Sequence, residues 1–471
     1  MLIMRHELLL IAIAVFLLLL EIFTPNGKKH QIILPAIILT GLATIIGFLP
    51  IEYGSLFGGM YQTSPLVVLM KNVLNLGLVI VFIQSVAYLK RSENSEKISE
   101  FFIILLTTII GMDYMVSSGD FLMFYLGLEL ATIPLATLVA YDRYKEKSAE
   151  GGVKLIFTSA LSSGILLYGL SMIYGTVGSV YFEDVKAAIT ATPSALQILA
   201  FIFFFAGMAF KISLVPFHLW AADVYEGAPM NITSYLSVVS KGAAVFILTI
   251  LLYTVFGKIM PMWSDLIYVI SILTITIGNL FAMRQKNIKR FLAFSSIAQA
   301  GFILLGIIGG SQLGMTTVIY FVMIYIFSNL GAFGVANIIS HMTGKETIDD
   351  YNGFYRTNPL LSLTMMLALF SLAGIPPVAG FFGKFFLFAA AAQKGMYVLV
   401  FIAVLNTIIS LYYYLLIVKA MFLTKSDEPI AYFKSDSYTR TGLVLCVIGI
   451  IAIGLYSPVY EFILGVSHGL I

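Results

Sequence analysis

Cysteine and charge are both scarce in this sequence of 471 residues. The single cysteine, Cys446, excludes an internal disulfide, a cysteine-rich metal site and an iron–sulfur cluster held by this chain alone. Charged residues make up 11% of the sequence and hydrophobic residues 60%, whereas soluble domains carry about 25% charge. A water-soluble globular fold is therefore excluded, and the sequence predicts an all-α polytopic membrane protein.

Sequence motifs for ATP and haem binding are also lacking. No glycine-rich phosphate loop followed by Lys-Ser or Lys-Thr is present, so ATP-driven transport has no support. The five histidines lie at predicted span ends or beside a helix break, unlike the paired mid-span ligands of a membrane haem. The net charge of +3 is small, which argues against nucleic-acid binding. We therefore expect no cofactor and no metal ion on this chain, and a lipid bilayer around it.

Apolar runs separated by charged or Gly/Pro-rich breaks predict 14 membrane spans, the first of them an uncleaved helix. Cytoplasmic loops collect positive charge. Of the 27 Lys and Arg residues, 17 fall in one set of alternate loops and 4 in the other, so both termini are predicted to face away from the cytoplasm. The predicted spans start near Glu7, Ile32, Leu66, Phe101, Phe121, Ala149, Ser194, Ile232, Met262, Ile288, Leu313, Leu360, Met396 and Thr441.

Six lysines remain inside the predicted spans, where a charge is costly unless it faces protein or water. Lys211, Lys241 and Lys384 lie deepest, and this position favours a role in an ion pathway. Lys154 lies about one turn into its helix, so its position alone leaves both a functional and a snorkelling side chain open.

The other charged residues in or near the predicted spans lie at different depths. Lys71 and Lys419 lie near span ends and are predicted to snorkel toward water. Asp113 and Asp120 flank a short outer connection and are predicted to lie in a solvated loop. Glu129 is predicted to be the one deep carboxylate, which needs either a partner or a proton.

Two predicted spans contain proline beside a deep lysine, in residues 210–220 (FKISLVPFHLW) and 372–384 (LAGIPPVAGFFGK). Proline removes a backbone donor, so each helix is expected to break, although an ordinary kink is the alternative. Broken helices in two halves are typical of transporter repeats. We predict two five-helix repeats, spans 4–8 and 9–13, inverted because each has an odd number of spans. The predicted divisions are residues 1–98, 99–257, 258–424 and 425–471.

A carboxylate that moves relative to a buried lysine can load or unload a proton, because burial disfavours the ammonium and a nearby negative charge restores it. Glu129 and Lys211 are the predicted pair, with Lys241 and Lys384 as successive stations. His218, just beyond the first break, is either a further station or a structural histidine. Small polar side chains that either hold bridging waters or serve helix packing are Ser213, Ser234, Ser237, Ser240 and Ser295.

Four segments together resemble the antiporter-like membrane subunits of respiratory complex I, most closely the N-type subunits of bacterial NADH–quinone oxidoreductase. The segments are residues 210–229, 237–241 (SVVSK), 288–297 (IKRFLAFSSI) and 372–388. The resemblance covers residues 100–420 well. Lys384 argues against the sister M type, which carries glutamate at that site.

The resemblance implies that Glu129, Lys211, Lys241 and Lys384 match the functional residues of the family, and that Lys154 matches a further lysine of span six. It implies proton translocation through a Glu/Lys/water relay, with no independent catalytic chemistry in this chain. Electrons would pass from NADH through FMN and iron–sulfur clusters to quinone in partner subunits. The implied partners are other membrane subunits of complex I, and the implied location is the bacterial inner membrane, with periplasmic termini.

Two alternatives remain open. A subunit of a multi-subunit cation/proton antiporter shares these repeats, although residues 223–229 (DVYEGAP) and the segment ending at Lys241 favour the complex I type. A structural membrane subunit with inert charges would tolerate alanine in place of Glu129 or Lys211.

Overall fold

A computed structural model describes residues 2–25 and 27–470 of the chain. Most of these residues are helical, and β1 (Gly54–Leu56) pairs with β2 (Tyr61–Thr63) in a short antiparallel hairpin. The α-helices are α1 (Arg5–Phe23), α2 (Ile33–Gly47), α3 (Pro65–Leu89), α4 (Ile98–Val116), α5 (Phe121–Val139), α6 (Glu146–Val177), α7 (Phe182–Ala188), α8 (Ala195–Ile212), α9 (Leu219–Gly227), α10 (Met230–Tyr235), α11 (Lys241–Thr254), α12 (Met260–Ala282), α13 (Ile288–Ile308), α14 (Gln312–Thr343), α15 (Phe354–Thr357), α16 (Pro359–Ala373), α17 (Ala379–Gln393), α18 (Tyr397–Phe422), α19 (Ser437–Leu455) and α20 (Pro458–Val466).

The all-α polytopic fold is confirmed. Within the described part of the chain, 13 helices are long and apolar enough to cross a membrane, and α16 and α17 are shorter apolar helices. Each predicted span start lies within four residues of the first residue of a helix. Fourteen crossings and two inverted repeats stay predictions.

Local sequence signals fix where many of these helices begin and end. The side chain of Ser64 accepts a hydrogen bond from the Val67 amide before Pro65, and Asp120 accepts one from the Met123 amide. At the other end, α6 and α14 are followed by Gly178 and Gly344, both with positive φ. These caps satisfy backbone groups that the helix itself leaves free.

The core of the bundle is formed by helices that other helices surround. Residues 230–254 and helix α13 are buried along their full apolar windows, and α14 and α3 nearly so. In contrast, α1, α6 and α18 expose many large apolar side chains, as expected of helices that face lipid. The central helices carry Lys241 and its partner Ser296.

Both predicted helix breaks are present. Helix α8 ends at Ile212, Ser213 adopts φ 65°, and the peptide between Val215 and Pro216 is cis. Helix α16 ends at Ala373, Gly374 adopts φ 87°, and the peptide between Pro376 and Pro377 is cis. The two helix ends have the same hydrogen-bond pattern. In each break, the amide of the second residue after the helix donates to the carbonyl of the residue five positions earlier, at 2.8 Å in the first break and 3.0 Å in the second.

The structure corrects three predictions about the N-terminal half. Lys71 does not snorkel: its side chain is 1% exposed, because α3 is central and because Glu7 and Tyr61 bind the ammonium. Asp113 and Asp120 are buried at helix ends, not in a solvated loop. Glu129 is therefore not the one deep carboxylate, since Glu7 and Asp113 are fully buried and Glu129 only partly. Burial here depends on neighbouring helices, which hydropathy along one span does not report.

Candidate functional site

Lys211 lies in the last turn of α8 and reaches toward α5. Its ammonium donates a 2.5 Å hydrogen bond to the hydroxyl of Thr132, which itself donates to the Leu128 carbonyl. Thr132 lies three residues after Glu129 on the same helix, and Oε1 of Glu129 is buried without a hydrogen-bond partner among the described residues. The predicted pair is thus brought onto neighbouring helices, but a neutral hydroxyl, and not the carboxylate, holds the amine.

Lys241 is 2% exposed and begins α11, directly after a π-helical turn at Leu236–Ser240. Single π turns inside α-helices occur often at functional sites. Its ammonium donates to the hydroxyl of Ser296 at 2.7 Å and to the Ser296 carbonyl at 3.3 Å. The predicted station is therefore held by neutral oxygens of α13.

Lys384 is 3% exposed and lies on α17, beyond the second break. Its ammonium donates to the carbonyl of Ala373 at 3.1 Å and lies 4.6 Å from the centre of the Phe302 ring. The carbonyl belongs to the last residue of α16, so the broken helix supplies the acceptor.

Polar side chains of α13 and α18 connect the surroundings of Lys241 and Lys384. Ser295, next to Ser296 in sequence, is hydrogen-bonded to the hydroxyl of Tyr414. Gln299 donates to that same hydroxyl at 3.2 Å and to the carbonyl of Leu372 at 3.0 Å. Leu372 precedes the residue whose carbonyl binds Lys384. This buried row, Ser296–Ser295–Tyr414–Gln299, leads from one lysine to the other.

His218 and Ser213 lie in the first break. His218 is 5% exposed, and its two ring nitrogens have no hydrogen-bond partner within the described part of the chain. The same holds for the buried hydroxyl of Ser213. Elsewhere, Ser237 accepts a bond from Asn329 at 3.0 Å, and Ser234 and Ser237 donate to carbonyls three residues earlier. The polar atoms of His218 and Ser213 in the break therefore lack hydrogen-bond partners among the described residues, whereas Ser234 and Ser237 near Lys241 form hydrogen bonds within and between helices.

Lys154 takes part in an ion-pair network at the end of the bundle where α6 and α13 begin. Its ammonium lies 2.7 Å from Asp223 and 2.6 Å from Glu150. Arg290 binds Asp223 at 2.8 Å and Glu226 at 2.7 Å. Through Asp223 and Glu226, helix α9 beyond the first break is thus tied to both α6 and α13.

The network predicts a specific pH dependence of stability. Burial by itself raises the pKa of Asp223, but hydrogen bonds and charges from Lys154 and Arg290 outweigh it and hold that pKa below its usual value. Glu226 behaves in the same way, with Lys147 and Arg290 as partners. A lowered folded-state pKa stabilises the protein above the unfolded pKa and ceases to do so as the pH falls through the folded value.

We therefore expect Arg290→Met to lower the thermal unfolding midpoint of the purified complex at pH 7, and the difference from wild type to shrink as the pH falls below about 4 and the carboxylates take up protons. Arg284→Met is the matched control, because Arg284 is exposed in the neighbouring loop. A difference that stays constant down to acid pH would contradict the role of these pairs.

The hydroxyl of Thr132 yields a second prediction. Thr132→Val removes the acceptor of Lys211 while preserving shape, and a hydrogen bond to a charged group contributes about 1.5–3 kcal/mol. We expect proton translocation to slow by about tenfold, the rate equivalent of about 1.4 kcal/mol, with Thr132→Ser near wild type. Thr137→Val, on the exposed side of the same helix, is the control. Equal rates for Thr132→Val and Thr137→Val would show that the hydroxyl has no role.

Comparison with known proteins places this arrangement in a family. Residues 118–410 match the family described as NADH:quinone oxidoreductase/Mrp antiporter, transmembrane. The chain belongs to this family. The matched range contains both helix breaks and all six predicted relay residues, Glu129, Lys154, Lys211, His218, Lys241 and Lys384.

Relatives refine the family assignment. The chain is 52% identical, over 98% of its own length and 97% of the relative's, to NADH-quinone oxidoreductase subunit N of Phocaeicola vulgatus. A chain of respiratory complex I from Thermus thermophilus superposes with a TM-score of 0.80 at 26% identity, covering 98% of both chains. A chain of the Mrp complex from Dietzia has a TM-score of 0.86 at 20% identity, covering 99% and 97%, and shows the shared fold alone. The predicted N-type resemblance within the family is confirmed.

Sequence reasoning missed the neutral partners of the lysines and the acidic partners of Lys154. Thr132 could have been noticed, because it lies one turn after Glu129 on the same helix face. Asp223 and Glu226 were recognised only as part of a family segment. No comparable local signal marks Ser296, since it meets Lys241 only when α11 packs near α13. Among the described residues, no group of three or more His, Cys, Asp or Glu is arranged to hold a metal ion.

Proposed function

We propose that this chain is a proton-translocating membrane subunit of an NADH–quinone oxidoreductase, and that Glu129, Lys154, Lys211, His218, Lys241 and Lys384 form its relay. Electron transfer would occur in other subunits, which carry FMN, iron–sulfur clusters and the quinone site. This chain would contribute no redox chemistry of its own. Other membrane subunits of the complex are its partners.

One observation carries the proposal: three lysines of the membrane bundle, of which Lys241 and Lys384 are buried and Lys211 is partly buried, are held by neutral oxygens. Lys211 binds a hydroxyl, Lys241 a serine, and Lys384 a backbone carbonyl. Within the described chain, no carboxylate oxygen lies within 4.0 Å of these amines. A buried ammonium without a carboxylate partner is costly, so the neutral amine is accessible and a proton can be exchanged. Lys71 differs from these three lysines, because a carboxylate, that of Glu7, pairs with its ammonium.

The arrangement supports a route of transfer along the bundle. Lys211 and Glu129 belong to the first predicted repeat, Lys241 lies in the last span of that repeat, and Lys384 belongs to the second. The polar row Ser296–Ser295–Tyr414–Gln299 offers donors and acceptors between the last two lysines. Waters between these groups would complete the relay.

We also propose the repeat organisation and the orientation. Close glycine contacts recur at corresponding helix pairs, with Gly111 and Gly127 between α4 and α5, and Gly278 and Gly301 between α12 and α13. This recurrence supports inverted repeats at residues 99–257 and 258–424, between the flanking segments 1–98 and 425–471. The loop charges support periplasmic termini in a bacterial inner membrane, with the Lys154–Asp223–Arg290 network on the cytoplasmic side.

The proposed function is tested in two steps. Solubilised membranes are separated by blue-native electrophoresis, and the subunits that migrate with this chain are identified. Flavin and iron–sulfur subunits are expected, whereas small antiporter subunits in their place would support the cation/proton antiporter alternative. NADH-driven proton uptake by inverted vesicles is then compared between wild type and Glu129→Gln. Normal uptake with an assembled Glu129→Gln complex would contradict the relay assignment.

A further inference from the structure

A second buried cluster of ionisable groups lies outside the proposed relay, among α1, α3, α4 and the β-hairpin. The ammonium of Lys71 lies 2.5 Å from Oε1 of Glu7 and 2.9 Å from the hydroxyl of Tyr61. That hydroxyl lies 3.0 Å from both carboxylate oxygens of Glu7. Lys71 and Glu7 are 1% and 0% exposed. A complete ion pair, with tyrosine as its third member, is therefore enclosed in protein.

Asp113 adds an unpartnered carboxyl group to this cluster. It lies in the last turn of α4, is 0% exposed, and α4 packs against α1 and α3, the helices that carry Glu7 and Lys71. Both of its carboxylate oxygens are buried and lack a hydrogen-bond partner in the described structure. An ionised carboxylate in such a place would lack the hydrogen bonds that normally compensate for burial.

The other titratable groups near Asp113 do not supply the missing charge. Tyr114 on α4 and Tyr235 on α10 are neutral phenols at neutral pH. His6 on α1 is hydrogen-bonded to Oδ1 of Asn72, whose amide nitrogen donates to the Gly47 carbonyl, so Nε2 of His6 is the donor and the neutral ring suffices. Two acids therefore share one ammonium.

We propose that the cluster of Glu7, Lys71 and Asp113 is a proton-binding site, which holds one exchangeable proton on its carboxyl groups in addition to the ammonium of Lys71. One proton brings the net charge of two carboxyls and one ammonium to zero, which is the arrangement that a low-dielectric site favours. Interacting acids share such a proton as a unit, and Asp113 is its main holder because Glu7 is already paired.

The surroundings place this site on the translocation route, a step that rests on the proposed function. On α4, Thr108 is hydrogen-bonded to the hydroxyl of Tyr235 at 2.7 Å and lies five residues before Asp113. Tyr235 precedes Lys241 by six residues on the same central helix. The cluster lies where α1 and α3 begin, the end predicted to face the periplasm. It would exchange protons between the central lysines and the outer water.

Infrared spectroscopy of the purified complex tests proton binding directly. At neutral pH we expect the carbonyl stretch of a protonated carboxyl group in wild type and its loss in Asp113→Asn. Glu7→Gln should also remove it, because Asp113 then ionises beside Lys71. Lys71→Met should increase the band about twofold, since both acids then hold protons. Asp265→Asn, at an exposed acid near the start of α12, should change nothing.

A band that is unchanged in both Asp113→Asn and Glu7→Gln would overturn the site. The absence of any such band in wild type would also overturn it, because the proton would then lie on His6 or the charge would be unbalanced.

Vesicle assays test the role of the site in transport. Asp113→Asn is expected to lower proton uptake by about tenfold, less than loss of a central lysine, because Glu7 remains beside Lys71 as a second carboxyl group. Loss of the band with undiminished uptake would overturn the station on the route.

These outcomes stay distinct from failure of the proposed function. Glu129→Gln should lower uptake while leaving the Asp113-dependent part of the band intact. If Glu129→Gln and Lys211→Ala both pump normally, the relay fails, whereas the infrared result on Asp113 stands on its own.

Discussion

Replacing Lys241 with methionine is expected to lower NADH-driven proton uptake by inverted vesicles roughly 100-fold, the lower end of what a positioned proton-transfer group contributes. Lys241 is fully enclosed, and its amine contacts only oxygens of Ser296 at hydrogen-bonding distance within the described structure. Methionine has a similar length and no exchangeable proton, so the effect should fall on transfer and not on packing.

Arginine at the same position separates charge from proton release. Lys241→Arg keeps a positive charge, but an arginine side chain does not release its proton in proteins. If proton release is required, Lys241→Arg is therefore expected to be as defective as Lys241→Met. Lys394→Met, at an exposed lysine just past α17, is the matched control and should pump normally. Blue-native gels must show equal assembly for all three variants. Full uptake in Lys241→Arg would mean that the site supplies only a fixed charge.

The second large effect is expected from Gly111→Leu, which should abolish accumulation of the assembled complex. A Cβ atom at Gly111 would lie 2.5 Å from the backbone nitrogen of Ala131 and 2.9 Å from the Gly127 carbonyl oxygen. Backbone atoms of α5 cannot turn aside as a flexible side chain would. The larger side chain therefore forces α4 and α5 apart, and overpacking of this kind costs typically about 1–3 kcal/mol even without a shift of whole helices.

Amounts of complex on blue-native gels and its thermal unfolding midpoint measure this effect. Gly111→Ala is expected to show the same direction with a smaller loss. Gly164→Leu is the matched control, because nothing lies within 4 Å of a Cβ built at that exposed glycine of α6. Equal amounts of the Gly111→Leu and Gly164→Leu complexes would show that the two helices tolerate separation.

The Gly111 contact also bears on Glu129. Helix α5 carries Glu129 and Thr132, and its position against α4 fixes how far they lie from Lys211 on α8. A partly assembled Gly111→Ala complex is therefore expected to pump less per complex than wild type.

Much of the fold was predictable because hydropathy is a local property. Each apolar run forms a helix near its predicted start, since a chain in lipid must satisfy its backbone within each segment. Proline removes a backbone donor wherever it occurs, so both breaks were visible beside Lys211 and Lys384. The segments that resemble the complex I family, residues 210–229 and 372–388, contain the same two lysines.

The partners of the charges were not predictable in this way. Lys71 and Lys419 both lie near span ends, yet Lys71 is enclosed and Lys419 is exposed. The difference is that α3 is surrounded by other helices and α18 lies at the periphery. Likewise, depth alone ranked Glu129 above Asp113, whereas the packing of α1, α3 and α4 buries Asp113 completely.

The sequence by itself thus determined which segments form apolar helices, where two of them break, and which lysines lie too deep in them to be ordinary surface charges. It could do so because scarce charge in an apolar chain makes each exception conspicuous. Only the tertiary structure decided that Thr132, Ser296 and the Ala373 carbonyl hold the three deep amines, and that Glu7 and Tyr61 hold Lys71. Those contacts join different secondary-structure elements, and no periodicity within a single helix encodes them.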